Sequence, residues 1–185
     1  MGFPGGTVDL PDGARPELAA IVARAWLDPY GDAARLVDAL QGGPAEPGHL
    51  ATNAWVFDPD VASVLLVRHR LLGWVNPGGH LDDGETPAAG AARELAEETG
   101  LDVPLLDARP ALVRAVVLPA RGPDPAHWHW NLHHLFIADP AVALKPEEGS
   151  PVDWYPFDAL PTNRIADLDA LLALLAPLAA KLQRA

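Results

Sequence analysis

The chain has 185 residues, none of them cysteine and only one of them methionine. Disulfides, thiolate–zinc centres and a cysteine nucleophile are therefore excluded. Basic residues are also scarce, 13 Lys and Arg against 25 Asp and Glu, for a net charge of −12. That balance argues against non-specific binding to nucleic acid or to an anionic membrane, both of which need a basic surface. A small phosphorylated or nucleotide substrate stays open, because bound cations can reverse the sign of a site locally. No apolar run is long enough to span a membrane. The first residues, MGFPGGTVDLPDG, lack a basic stretch followed by an apolar one, and they do not fit an acylation signal. The expectation is a cytoplasmic protein.

What is present is enough to build a core, since 49% of the residues are apolar. Residues 1–13 read as a loose arm rich in Gly, Pro and Asp. Helices are expected over Pro16–Leu27 and Asp32–Leu40, followed by a loop at 42–48. Two helices this short cannot form a core alone. They should pack on the main domain or on a second copy of the chain, which would make a homodimer. The expected division is thus 1–48 as an N-terminal extension and 49–185 as the main domain. Strand patterns follow at Ala51–Phe57, Ser63–Arg68, Ala111–Leu118, His129–Ile137 and Val152–Tyr155, with a closing helix over Ile165–Leu182 disturbed at Pro177. Strands with helices before and after them imply an α/β sandwich.

The chemistry concentrates in Gly79–Leu101, GHLDDGETPAAGAARELAEETGL. Thr86 suits an N-cap, Pro87 the first helical turn and Gly100 a left-handed C-cap. Glu94, Glu97 and Glu98 then fall within one turn of a helix, so their carboxylates enter one small volume. Like charges at that spacing destabilise a helix unless something positive sits among them. A hard divalent cation with oxygen ligands meets that need.

This segment resembles the signature of the Nudix hydrolase superfamily. Gly79, Glu85, Arg93, Glu94, Leu95, Glu97, Glu98, Gly100 and Leu101 stand at every fixed position of that pattern. The resemblance implies a Nudix-like α/β/α sandwich with a central mixed sheet, here carrying a short N-terminal helical extension. It implies Mg²⁺ or Mn²⁺ at Glu94, Glu97 and Glu98, with Arg93 orienting the carboxylates by pairing with Glu85. Gly79 would let the loop backbone approach the site. The implied reaction is attack of water on a diphosphate linkage in a nucleoside diphosphate joined to another moiety, of nucleotide-sugar, ADP-ribose or nucleoside-triphosphate type. A catalytically silent ligand sensor is the alternative. The general base has no fixed place in the family, and Glu148, then Glu147, are the loop candidates for a base or additional ligand. Isopentenyl diphosphate isomerases share the fold but use a cysteine, which this chain lacks.

The run His127–His134, HWHWNLHH, is the second unusual feature. As a strand it would put His127, His129, Asn131 and His133 on one face and Trp128, Trp130, Leu132 and His134 on the other. His127, His129 and His133 are expected to line a substrate pocket, where imidazole and aromatic groups can stack on a base or bond phosphate oxygens. A zinc site is the less favoured reading, because neighbours on one face of a strand lie roughly 7 Å apart. Arg68, with His69 and Trp74, is a further pocket candidate.

Overall fold

A computed structural model describes residues 15–43, 48–82, 84–120, 126–146 and 149–185. The expected arm at 1–13, most of the loop at 42–48, and Glu147 and Glu148 lie outside the described residues. The elements are α1 (Arg15–Val22), α2 (Asp32–Leu40), β1 (Gly48–Phe57), β2 (Ser63–His69), β3 (Gly73–Val75) and β4 (Gly78–His80). They continue with α3 (Pro87–Thr99), β5 (Leu112–Leu118), β6 (His127–Ile137), β7 (Val152–Pro156) and α4 (Leu168–Leu182).

The seven strands among the described residues form one mixed sheet. Its main path runs β3-β2-β1-β6-β5, with β4 paired to β1 and β7 paired to β2. β1 and β6 are parallel over their length, from Gly48 opposite Trp128 to Phe57 opposite Ile137. The other pairings are antiparallel. This centre explains the continuous burial of Ala54–Phe57 and Leu132–Phe136, since strands covered on both faces have no solvent side.

Alternation along β1 and β6 divides the core in two. Even-numbered positions face α3 through Ala54, Val56 and Phe136, and face α1 and α2 through Leu50, Trp130 and Leu132. Odd-numbered positions Trp55, Phe57 and Leu135 face α4 through Leu168, Leu171, Leu172 and Leu175. The α/β/α sandwich is thereby present, and the N-terminal helices pack on the domain itself. Asp32, 3% exposed, locks that packing. Its carboxylate accepts from Arg114 Nη1 at 3.1 Å and the Ala115 amide at 3.0 Å on β5, and from Arg35 Nη1 at 3.1 Å.

Two helix ends differ from expectation for local reasons, and an expected disturbance is absorbed. α1 ends at Val22 rather than Leu27, because Trp26 and Leu27 leave the helix to donate to the carbonyls of Pro110 and Ala111, each at 2.9 Å. α4 begins at Leu168 rather than Ile165, whose amide instead donates to the Trp74 carbonyl at 3.1 Å. Pro177 does not break α4: it is exposed, as is Ala173 one turn before it, so the carbonyl deprived of a donor lies on the solvent side. The short strands β3 and β4 escaped the pattern because three residues with a glycine carry no periodicity. No helix among the described residues is long and apolar enough to cross a membrane.

α3 is fixed at both ends. Thr86 Oγ1 accepts from the Ala89 amide at 3.2 Å, and Gly100 adopts φ 75° in a left-handed cap. A Cβ on Gly100 would lie 2.6 Å from Lys145 Cβ. Gly100→Ala should therefore lose at least about 1–2 kcal/mol, the usual strain of an L-residue in that region. A urea titration checks this, with the midpoint falling and the m-value unchanged.

Candidate active site

The site grows from the way β4 lies under α3. Gly78 N–H donates to Glu98 Oε2 at 2.9 Å. Gly79 faces Glu94 so closely that a Cβ there would collide with its Oε1. Any side chain at 79 would push either the strand or the carboxylate away. Thr52 on β1 completes the seat by donating from Oγ1 to the Pro87 carbonyl at 2.7 Å.

Arg93 organises the carboxylates. Its Nε and Nη2 donate to the two oxygens of Glu85, each at 3.1 Å, in the bidentate arrangement that suits a guanidinium. Nη1 donates to Glu94 Oε1 at 2.8 Å and Glu97 Oε2 at 3.1 Å, and Nη2 also reaches the His80 carbonyl at 3.0 Å. Asp82 adds a fourth carboxylate, 3.5 Å from Nε. The Arg93 hydrogen bond holds the Glu85 carboxyl below its usual range despite partial burial, and Glu85 in turn raises Arg93. Glu94 is mostly buried, with 14% side-chain exposure, whereas Glu97 is open at 61%. One cation among four carboxylates leaves a net negative cluster, and an oxygen-only donor set fits a hard divalent ion.

Of the three histidines expected to line a pocket, the structure brings only two together. His127 and His129 are half-buried near the start of β6, their ring centroids 5.2 Å apart. His133 is not with them. It is 4% exposed, and its Nδ1 accepts from Trp55 Nε1 at 2.8 Å. Trp128 and Trp130 also serve packing, with Arg35 of α2 5.1 and 5.3 Å from their ring centroids. Arg68 is exposed on β2, 5.9 Å from the Trp74 ring.

The partners that sequence reasoning missed are His49 and His80. His49 Nε2 lies 2.5 Å from His129 Nε2 and 3.0 Å from His80 Nε2. Burial, reinforced by His49, His80 and His127, holds His129 down to about 3, so its ring is neutral. A polar strip continues along the same sheet face: Asn76 Nδ2 donates to Asn53 Oδ1 at 2.9 Å, and Asn53 Nδ2 to Asn131 Oδ1 at 3.1 Å. The only sequence signal was that each residue is polar within a β-prone or glycine-rich run. Which strands would be neighbours was not written there.

A family model described as the NUDIX domain matches residues 47–175. The chain belongs to the NUDIX family. Members of this family generally use a divalent cation, in keeping with the carboxylate cluster. A CMP-5'-(N-acetyl-N-hydroxy-3-aminopropyl)phosphonate hydrolase of Streptomyces rubellomurinus is 35% identical over 105 residues, covering 51% of this chain and 45% of that protein. An isopentenyl-diphosphate Delta-isomerase of Streptomyces griseus is 35% identical over 111 residues, covering 55% and 53%. The NUDIX chain thus spans about half the length of the curated relatives it matches. Among solved structures, a C. elegans Ap4A hydrolase complex superposes with a TM-score of 0.56 at 18% identity, covering 71% of this chain and 98% of that one. That likeness shows the fold.

The buried imidazoles of this NUDIX domain carry a pH consequence. Burial holds His133 down to about 3 and His134 to about 4, against an ordinary 6.5. Below about pH 6.5 the unfolded chain binds protons there that the folded chain does not. Their contribution is therefore complete above that pH and lost progressively as pH falls towards the folded values. Urea midpoints should decline between about pH 6.5 and 5, before Glu85 titrates; a flat profile over that range would contradict neutral, buried rings.

Proposed function

We propose that this NUDIX domain is a metal-dependent pyrophosphohydrolase. It cleaves a diphosphate linkage in a nucleoside diphosphate joined to another moiety, such as a nucleotide sugar, ADP-ribose or a nucleoside triphosphate. The observation that carries the reading is the Arg93 clamp, which holds Glu85, Glu94 and Glu97 together beside a glycine strand whose amide already binds Glu98.

Glu94, Glu97 and Glu98 would hold Mg²⁺ or Mn²⁺. When bound, such an ion neutralises phosphoryl oxygens and makes water a better nucleophile. Arg93 is the positioning residue, because each of its donors fixes a carboxylate or the β4 backbone. Gly79 keeps the strand close enough for Glu94 to lie against it. In the reaction a water oxygen forms a bond to phosphorus, the bridging P–O bond breaks, and the leaving phosphate takes the bonding pair. The water proton passes to a carboxylate, with Glu148 our first choice on its sequence position. His127 and His129, at the start of β6, are proposed to contact substrate. The chain divides into an extension, residues 1–48, whose helices α1 and α2 support the domain at 49–185.

Turnover is tested by incubating the chain with Mg²⁺ or Mn²⁺ and a panel of nucleotide sugars, ADP-ribose, dinucleoside polyphosphates and nucleoside triphosphates. Phosphate or nucleotide release from one class is expected. Tight binding of a class with no release from any would favour the sensor. Glu97→Gln should reduce kcat/KM by at least about 100-fold, and Arg93→Lys by about 10–100-fold, as loss of a ligand or of its orienting partner does. Retained activity in Glu97→Gln would remove the metal assignment. Glu148→Gln should lower kcat at least about tenfold if Glu148 is the base, a role typically contributing about 10²–10⁴-fold.

A further inference from the structure

Three histidines from three strands meet on the sheet face opposite α3. His49 is the second residue of β1, His129 lies directly beside it on the parallel neighbour β6, and His80 ends β4, opposite Ala51. One ring nitrogen from each falls within 4.8 Å of the other two. His49 Nε2 is central, 2.5 Å from His129 Nε2 and 3.0 Å from His80 Nε2.

Protons alone do not satisfy this arrangement. A neutral imidazole nitrogen offers either one N–H or one in-plane lone pair. His49 Nε2 faces two ring nitrogens at close range, so one hydrogen bond leaves the other pair meeting without a good one. Protonating more rings would place like charges side by side. A single cation between the nitrogens uses all three lone pairs at once. A tetrahedral ion with bonds of about 2.0–2.1 Å needs its nitrogens about 3.3 Å apart, a spacing that small ring shifts reach from contacts of 2.5 and 3.0 Å to His49 and a group spanning no more than 4.8 Å.

We propose that His49, His80 and His129 bind one borderline-soft divalent ion of the zinc class, leaving a fourth position for water or a phosphate oxygen. The donor set decides the class: imidazole suits zinc, cobalt, nickel and copper, whereas Mg²⁺ seeks oxygen. Three protein ligands and an open position are also the pattern of reactive rather than closed structural zinc sites. This centre is distinct from the glutamate cluster in ligands and in sheet face, yet adjacent residues of β4 serve the two. Gly79 lies against Glu94, His80 carries the imidazole, and the His80 carbonyl is held by Arg93. The proposal does not depend on the hydrolase reading, because it concerns binding alone.

The test is a titration of the metal-stripped full chain with Co²⁺, followed by Zn²⁺. One equivalent of Co²⁺ should give the ligand-field absorption of a low-coordinate nitrogen site, resist excess Mg²⁺, and be displaced by Zn²⁺. Proton NMR of the cobalt form should show three hyperfine-shifted exchangeable signals, one from the remaining ring N–H of each ligand. His49→Ala and His129→Ala should weaken Co²⁺ binding by at least about 100-fold, while Glu97→Gln leaves the spectrum unchanged. Absence of the absorption in the unmodified chain would overturn the proposal. So would fewer than three shifted signals, or a spectrum lost in Glu97→Gln but kept in His129→Ala. The signal count comes from the unmodified chain, so the outcome stands even if a histidine variant fails to fold.

Discussion

A single guanidinium holds this site together. Arg93 bonds Glu85 in the loop, Glu94 and Glu97 on its own helix, and the backbone of β4 at His80. Without it, carboxylates at adjacent helical positions would repel one another and the loop would have no tie to the helix. Lysine cannot take its place, because a point ammonium lacks the planar fork that meets both Glu85 oxygens while still serving Glu94 and Glu97. The arrangement is deliberately incomplete: one positive charge stands among Asp82, Glu85, Glu94 and Glu97. Exposed pairs such as Arg93–Glu97 contribute little stability individually. The clamp's value lies in orientation.

That clamp works only because α3 sits close to the sheet. The buried face of the helix consists of Pro87, Gly90, Ala91, Leu95 and Thr99, small except for Leu95. Thr99 is wholly buried yet satisfied, donating from Oγ1 to the Leu95 carbonyl and accepting from the Leu101 amide. Small side chains bring the helix near enough for Glu94 to touch Gly79, so close packing and the placement of the carboxylates are one fact viewed twice.

The glutamate site was legible in the sequence because its parts are local. Residues three and four apart on one helix, capped by Thr86 and Gly100, meet whatever the rest of the chain does. Asp32–Leu40 was likewise legible, its apolar period and its turn signals agreeing. The histidine group was not legible, because His49, His80 and His129 are joined only through strand order. Reading β6 alone assigned His133 to the pocket on a correct alternation. It could not show that α4 covers that face from Trp55 and Leu135 onward, burying His133 against Trp55. Trp128 and Trp130 misled in a similar way: rings suited to a nucleobase instead lie beneath Arg35 of α2.

The parallel register of β1 and β6 connects the two halves of the molecule. A slip of one residue would move every side chain of a strand to the opposite face, forcing Trp55 or Leu135 from the α4 side to the α3 side and burying a histidine under α1 and α2. The hydrophobic core therefore enforces the pairing of His49 with His129, although neither residue contributes to it. Along that face the strands change from apolar under α4 to asparagine and then histidine towards their starts. Side chains on strands anchored in this way lose little further freedom when a ligand arrives, which is how a rigid scaffold favours binding without a conformational change. The same sheet supports the glutamates from its other face through Thr52 and the glycines of β4. The carboxylate cluster and the imidazole cluster thus inherit their geometry from one central pair of strands.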